Sequence, residues 1–157
     1  MKRQPKGAKR RRQAIQVYTY AQAQSVAPYL ASIVRSLREH SLEALSLRRR
    51  RKQLDDRPGR PDRAALIEAQ ELDRQAHRAE DNVRDAVAEM QRLDVYPLDP
   101  VRGQALVPFV HEEQLAWYVF DLFDPQPLQF WRFQTDPEDT RRPVTPRQDG
   151  RVEAGKA

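Results

Sequence analysis

The sequence contains no cysteine, and this absence excludes disulfides and every metal site that depends on thiolates. It also has no apolar run that approaches the roughly 20 residues needed to span a bilayer. The basic N-terminus resembles the start of a signal peptide, but "QAIQVYTYAQAQ" follows it where an apolar segment would be needed. We therefore expect a soluble, cytoplasmic protein that makes no membrane contact.

Sequence patterns that carry catalysis or cofactor binding are missing as well. There is no Gly-x-Ser-x-Gly elbow, no Gly-x-Gly-x-x-Gly loop and no Walker sequence. His40, His77 and His111 are too far apart in sequence to form a helical ligand pair. His111, Glu112 and Glu113 are adjacent in a predicted turn, where neighbouring side chains point apart. We expect no catalytic residue, no metal site and no cofactor, and an enzyme is the least favoured of the functions considered.

The formal net charge of +5 is unevenly distributed along the chain. Residues 1–12 contain seven cationic side chains and no acidic one, so the remaining 145 residues carry a net charge of −2. The cationic residues are Lys2, Arg3, Lys6, Lys9, Arg10, Arg11 and Arg12. Such an arm suits a polyanion such as RNA, a ribosome or DNA, and a solubilising extension is the alternative. We expect residues 1–14 to be disordered and any nucleic-acid contact to be made by this arm.

Two long helical patterns follow the basic arm, and in both the apolar residues recur at steps of three and four. Thr19 and Gln22 have the spacing of a capping box at the start of the first pattern. Pro28 either kinks this helix or separates two helices. The segment "DDRPGRP" breaks the pattern before the second helix begins. We expect helices over about 20–54 and about 62–94 that pack as an antiparallel hairpin, with alanines at their interface.

The period of the pattern changes after the second helix. The segments "ALVPFV", "LAWYVFDLF" and "LQFWRFQT" are typical of strands, and "HEEQ" and "DPQP" are typical of turns. The strands are expected over about 105–110, 115–123 and 128–135. They predict a small three-stranded antiparallel β-meander, so the fold class is α+β and predominantly α. We expect a single domain over residues 15–135 and a mobile tail over residues 136–157.

Seven of the twelve aromatic residues lie in "WYVFDLFDPQPLQFWRF". Both faces of the predicted sheet are apolar here, whereas a single helical hairpin covers one face. The second face is left for the N-terminal lead-in or the tail, for a homodimer, or for stacking of nucleic-acid bases. The candidate interface residues are Trp117, Tyr118, Phe120, Phe130, Trp131 and Phe133. We assign the even-numbered members to one face and the odd-numbered members to the other.

Several short motifs occur in a fixed order: "YAQAQSVAPYL", "MQRLDVYPLDPVRG", "ALVPF", "FDPQPLQFWRF" and "RRPV". On these motifs the chain resembles the bacterial domain-of-unknown-function family 2203 over about residues 17–145. The resemblance implies a long helical hairpin followed by a small sheet, and it implies no activity. The chain departs from the family at Arg132 and Phe133, where relatives usually have histidine and glutamate. It departs again at Phe120 and Asp121, where relatives usually have cysteine and tryptophan.

Two functions remain from the sequence. The first is a non-catalytic protein-interaction or scaffold protein of the helical-hairpin type, which forms a homodimer through the aromatic sheet. The alternative is an accessory RNA- or ribosome-binding protein that acts through the basic arm.

Overall fold

A computed structural model of the chain describes residues 14–145, and it contains two helices and one antiparallel sheet. The α+β class is therefore confirmed. In chain order the elements are α1 (Tyr20–Asp55), α2 (Arg63–Arg92), β1 (Tyr96–Asp99), β2 (Gln104–His111), β3 (Gln114–Asp121), β4 (Phe130–Phe133) and β5 (Arg142–Pro143). Neither helix combines the length and the apolar character that crossing a membrane requires.

α1 begins at the capping box that the sequence predicts. The Thr19 hydroxyl accepts a hydrogen bond from the Gln22 backbone amide at 3.1 Å, and the Gln22 side chain accepts one from the Thr19 amide at 2.9 Å. Two backbone amides at the helix start thereby gain partners. Pro28 lies inside α1, which continues without interruption to Asp55. Pro28 therefore does not separate two helices.

The two helices lie against each other along their length. Near one end the Tyr29 hydroxyl donates to the Glu89 carboxylate, and near the other end Arg51 Nε donates to Asp73 at 3.1 Å. Tyr29, early in α1, thus contacts a residue late in α2, and Arg51, late in α1, contacts a residue earlier in α2. The two helices therefore run in opposite directions. Small and aliphatic side chains are buried between them, namely Leu47, Leu54, Leu72, Ala76 and Ala79.

All five strands form one sheet in the order β1-β2-β3-β4-β5. The predicted three-stranded meander was therefore too small: its strands correspond to β2, β3 and β4, and two short edge strands flank them. Pro97 lies in the four-residue β1 and Pro143 in the two-residue β5. Proline has no backbone amide to donate, so these segments lack a strand signal in the sequence. Because β5 lies at 142–143, regular structure continues past residue 135.

One face of the sheet packs on the helices and forms the main core. The Tyr118 ring stacks on Phe109 with centroids 3.9 Å apart, and Phe109 meets Trp131 edge-on at 5.6 Å. Strand pairing places Tyr118 opposite Trp131. Even-numbered residues of β3 thus share a face with odd-numbered residues of β4. The assignment of the aromatic residues to faces by even and odd number was therefore wrong across these two strands.

The second face of the sheet is covered by the chain itself. Trp117 is only 9% exposed on this face, and Tyr96 meets it edge-on with centroids 5.6 Å apart. A shallow depression of about 270 Å³ is lined by residues of β1 and β2 together with Glu138, Asp139 and Arg141. The connection from β4 to β5 therefore comes close to the turn between β1 and β2.

The segment before α1 is attached to the rest of the fold at the end of α2. The Tyr18 hydroxyl donates to the Leu93 carbonyl at 2.5 Å, and the Gln16 amide donates to the Asp94 carboxylate at 2.9 Å. Tyr18 is buried, whereas Ile15 and Val17 on this segment are exposed. The lead-in therefore closes the end of the core through a single buried side chain.

Candidate functional site

A cleft of about 650 Å³ lies between the N-terminal half of α1, the segment that enters β4 and the residue that follows β5. This volume is within the range that small-molecule and peptide sites occupy. Its lining residues are Tyr20, Gln24, Ala27, Pro28, Ala31, Pro125, Gln126, Pro127, Leu128, Gln129 and Val144. It is the largest of the depressions described on residues 14–145.

Among residues 14–145 the lining of the cleft contains no charged side chain. The described lining holds no aspartate, glutamate, lysine, arginine or histidine, and Tyr20 provides the single hydroxyl group within it. Of the described lining side chains, Tyr20 alone is of a type that serves as an acid, a base or a nucleophile in catalysis. The polar groups that are present are the side-chain amides of Gln24, Gln126 and Gln129. An amide both donates and accepts hydrogen bonds, so the cleft offers recognition chemistry.

Pro28 changes the backbone chemistry of the α1 wall. In an α-helix the amide four residues ahead donates to each carbonyl, and proline has no amide. The carbonyl of Gln24 therefore lacks this donor, and both Gln24 and Pro28 line the cleft. A proline inside a helix costs about 3 kcal/mol. The same residue that weakens the helix thus removes the usual intrahelical donor of a carbonyl that belongs to a cleft residue.

The opposite wall is fixed by hydrogen bonds of its own. The Asp121 amide donates to the Pro127 carbonyl at 2.9 Å, which closes the loop after β3. Within this loop the backbone amide of Gln126 donates to the Asp124 carboxylate at 2.9 Å. Two prolines further restrict the backbone between these bonds. The wall is therefore shaped before any ligand binds.

The aromatic residues predicted as an interface are mostly inside the fold. Tyr118, Phe120 and Trp131 are buried on the helix-facing side, and Trp117 is buried on the second face. Phe130 and Phe133 are half-buried. The aromatic side chain of this segment that is most exposed is Phe123, at 62%, and the Arg38 guanidinium lies 4.9 Å from its ring centroid.

His111 lies in an aromatic cluster at one end of the sheet. Its ring centroid is 4.6 Å from that of Trp131 and 5.7 Å from that of Phe133. The Arg142 guanidinium lies over both of these rings, 5.4 Å from Trp131 and 5.1 Å from Phe133. Arg142 is thus held on an aromatic surface, where cation–π attraction adds to its other contacts.

Asp136 completes this corner of the molecule. Its carboxylate accepts hydrogen bonds from Arg142 Nε at 2.9 Å, from Arg142 Nη2 at 3.0 Å and from the Phe133 amide at 2.9 Å. The Arg142 hydrogen bond is the main reason why the pKa of Asp136 is lower than its usual value, and the Phe133 amide contributes in the same direction. The arrangement stabilises a charged Asp136 and joins β4 to β5.

The histidines are not brought together. His40 Nδ1 lies 3.9 Å from the Glu43 carboxylate on the same helix, and His77 Nδ1 is 2.7 Å from the Asp73 carbonyl. His111 is at the other end of the fold, among the aromatic side chains. Among residues 14–145 no group of three or more histidine, aspartate or glutamate side chains could hold a metal ion.

The predicted polyanion-binding residues Lys2, Arg3, Lys6, Lys9, Arg10, Arg11 and Arg12 lie outside the described residues. Comparison of the chain with family models, with curated proteins and with solved structures gave no match. The resemblance to family 2203 therefore stays a prediction.

The residues of the cleft were not singled out by sequence reasoning. Gln126 lies in "DPQP", which reads only as a turn, and Gln24 lies on an ordinary stretch of helix. The three prolines at 28, 125 and 127 were the available signal, because all three line the cleft. Their proximity depends on the path of the whole chain, so their shared location was not predictable from spacing.

Proposed function

We propose that the protein is a non-catalytic interaction protein whose cleft binds an extended, uncharged peptide segment of a partner protein. Eleven residues of the described part of the chain line the cleft and none of them is charged, which is the observation that carries this proposal. A site of this composition suits recognition of neutral groups more than bond making or bond breaking.

The polar groups of the cleft match a peptide backbone. Gln24 and Gln126 provide amides on opposite walls, and the Gln24 carbonyl adds an acceptor. Each peptide unit presents one donor and one acceptor, so these groups can bind an extended chain at several points. Aromatic-lined grooves bind proline-rich segments in other proteins, because such segments are already extended before binding, and Tyr20 gives the described lining one aromatic ring. We therefore expect a ligand that contains proline or leucine and few charges.

The homodimer predicted from the aromatic sheet remains a separate proposal. Its support is limited by burial, since Tyr118 and Phe120 belong to the main core and Trp117 is buried in a second cluster with Leu106 and Val119. A partner chain would have to use the half-buried Phe130 and Phe133. Sedimentation velocity at micromolar concentration measures this directly: a mass of 18.4 kDa is that of one chain.

The test of the cleft begins with selection of 12-residue peptides from a random phage library on the full-length protein. Binding of a selected synthetic peptide is then measured by calorimetry. Gln24→Arg places a charge in the cleft and should weaken binding at least about tenfold, which corresponds to about 1.4 kcal/mol. Ser25→Arg is the matched control, because Ser25 is the next exposed residue of α1 and does not line the cleft.

Three results would count against the proposal. Equal binding by both variants would place the peptide elsewhere, and selection of strongly charged peptides would contradict the uncharged lining. A synthetic peptide of residues 146–157 serves as a competitor, since this segment follows Thr145 next to the cleft residue Val144. Tight binding of that peptide would mean that the chain's own end fills the cleft.

A further inference from the structure

The end of the helical pair that is remote from the sheet has a concentrated positive charge. We call residues 48–63 the tip: they comprise the last turns of α1, the connecting loop and the first residue of α2. The tip contains eight cationic and three anionic side chains, a net charge of +5. The other residues between 14 and 145 contain ten cationic and 18 anionic side chains, a net charge of −8. The described part of the molecule is therefore strongly polarised.

Two of the eight cations have structural partners. Arg48 is bonded to Glu80 at 2.7 Å, and Arg51 to Asp73 at 3.1 Å. These ion pairs join α1 to α2. The other six are exposed and have no carboxylate partner among the described residues, namely Arg49, Arg50, Lys52, Arg57, Arg60 and Arg63.

The acidic residues of the tip do not neutralise this charge. The Asp62 carboxylate accepts from the Ala65 amide at 2.8 Å and caps α2, and Asp55 is bonded to Arg51. These two carboxylates are engaged in structural contacts, which leaves Asp56 as the one acidic side chain of the tip without a side-chain hydrogen bond or an ion pair among the described residues.

Helix stability explains the cations at the end of α1 but not those at the start of α2. A cation in the last turn of α1, such as Lys52, interacts favourably with the helix dipole. Arg63 is the first residue of α2, where the positive end of the dipole disfavours a cation. Arg60 lies in the loop three residues before α2, whereas Arg57 directly follows the C-cap residue of α1. Six unpaired cations also repel one another, so this arrangement is unfavourable unless an anion binds.

We propose that the tip binds the phosphate backbone of a nucleic acid and does so without reading its bases. Five of the six unpaired cations are arginines, whose planar guanidinium matches phosphate geometry with two parallel hydrogen bonds. Residues 48–63 include no aromatic side chain, so the tip has no platform on which a base could stack. This site is separate from the basic arm at 1–12.

The shape of the tip favours a nucleic acid over an anionic membrane. Arg49 and Arg50 are successive residues of α1 and therefore project about 100° apart around the helix axis. The cations of the tip thus point in different directions around the end of the helical pair and do not form one flat surface. The outermost residues, 56–62, read "DRPGRPD" and contain no aliphatic or aromatic side chain that could insert among lipids. The exposed Leu66 and Ile67 lie about one turn behind the loop, on α2.

The distance between the tip and the cleft makes them independent sites. The cleft is lined by residues 20–31 of α1, and the tip begins at residue 48. At 1.5 Å per residue, about 25 residues of helix separate the two centres by roughly 40 Å. A protein with this arrangement can hold a peptide at one end and a nucleic acid at the other.

The experiment measures fluorescence anisotropy of a labelled 16-base-pair RNA duplex with the full-length protein over a range of salt concentrations. The tip variant combines Arg50→Gln, Arg57→Gln and Arg60→Gln. The control variant combines Arg35→Gln, Arg78→Gln and Arg92→Gln, which removes the same charge from exposed positions elsewhere. None of these six arginines has an ion-pair partner in the described residues, so both variants should keep the parent's urea midpoint.

We expect the tip variant to bind at least about tenfold more weakly than the control variant in low salt. The slope of the logarithm of its association constant against the logarithm of the salt concentration should be smaller in magnitude by about 2–3. Each lost phosphate contact reduces this slope by somewhat less than one. The proposal is overturned if the parent does not bind the duplex, or if the two variants lose equal affinity. It is also overturned if Gln substitution of Lys9, Arg10, Arg11 and Arg12 abolishes binding while the tip variant retains it, or if the parent binds phosphatidylserine vesicles through the tip and not the duplex.

Discussion

The backbone amide of Tyr18 donates a hydrogen bond to the carbonyl of Pro108 at 2.8 Å. In an extended strand the amide and the carbonyl of one residue point to the same side, so the missing amide of Pro108 also faces the lead-in. The pairing of β1 with β2 reaches only to Leu106, so no residue of β1 needs a donor from Pro108. The lead-in needs only an acceptor at this position. Pro108 is therefore tolerated in the middle of β2. The bond fixes the lead-in against the sheet.

Tyr18→Phe should destabilise the fold by about 1 kcal/mol, because the Leu93 carbonyl loses its hydrogen-bond donor. The loss should also depend on pH. Burial, and to a lesser extent the charge of Asp94, raises the pKa of Tyr18 above its ordinary value near 10. The folded state then holds the proton more tightly than the unfolded state, so this contribution is complete below about pH 10 and is lost as the pH rises through the folded-state pKa.

The measurement for Tyr18 is urea denaturation of the parent and of Tyr18→Phe at pH 7 and at pH 11. The difference between the two proteins should be smaller at pH 11. A difference that stays constant would show that the Tyr18 hydroxyl has the same environment in the folded and unfolded states.

Asp136→Asn should lower the urea midpoint at pH 7, because Arg142 and the Phe133 amide would lose a charged acceptor. The pKa of Asp136 is lowered by these groups, so its contribution is present above the unfolded pKa near 3.9 and is lost as the pH falls through the lower folded value. Parent and variant should therefore converge in acid. Asp139→Asn is the control, since Asp139 is exposed on the same connection. Equal midpoints for parent and Asp136→Asn at pH 7 would show that the corner formed by Asp136 and Arg142 adds nothing to stability.

Ala79→Phe tests the contact between the helices. Ala79 is 2% exposed and packs in the cluster that contains Leu47, Leu72 and Ala76. A phenyl ring there must push the helices apart, which should cost about 1–3 kcal/mol in the free energy of unfolding. Ala64→Phe makes the same change at an exposed position of α2 and should cost much less. If urea denaturation gives the two variants the same stability, Ala79 does not lie in a close-packed contact.

The helices were the most predictable part of the fold. Apolar spacing and the capping box place α1 and α2 within about two residues of their observed ends, because a long amphipathic helix repeats its signal many times. The edge strands β1 and β5 give no such signal, since they have four and two residues and each contains a proline. Their position depends on pairing with β2 and β4.

The faces of the sheet were harder to predict for a geometric reason. The loop between β3 and β4 decides whether Tyr118 lies opposite an odd-numbered or an even-numbered residue, and the observed partner is Trp131. A shift of one residue exchanges the two faces of a strand. The cleft was harder still to predict, because it brings together residues such as Gln24 and Gln126 that are about 100 positions apart in the sequence.

The proposed function requires that an uncharged peptide binds in the cleft between α1 and the 125–129 segment. A titration of the ¹⁵N-labelled protein with a selected peptide, followed by amide resonances, tests it most directly. We expect the largest shifts at the cleft residues Gln24, Gln126 and Val144, with little change at Arg57 or Arg60 of the tip. Shifts that are centred on the tip or on the second face of the sheet, or no shifts at peptide concentrations that saturate binding by calorimetry, would contradict the account.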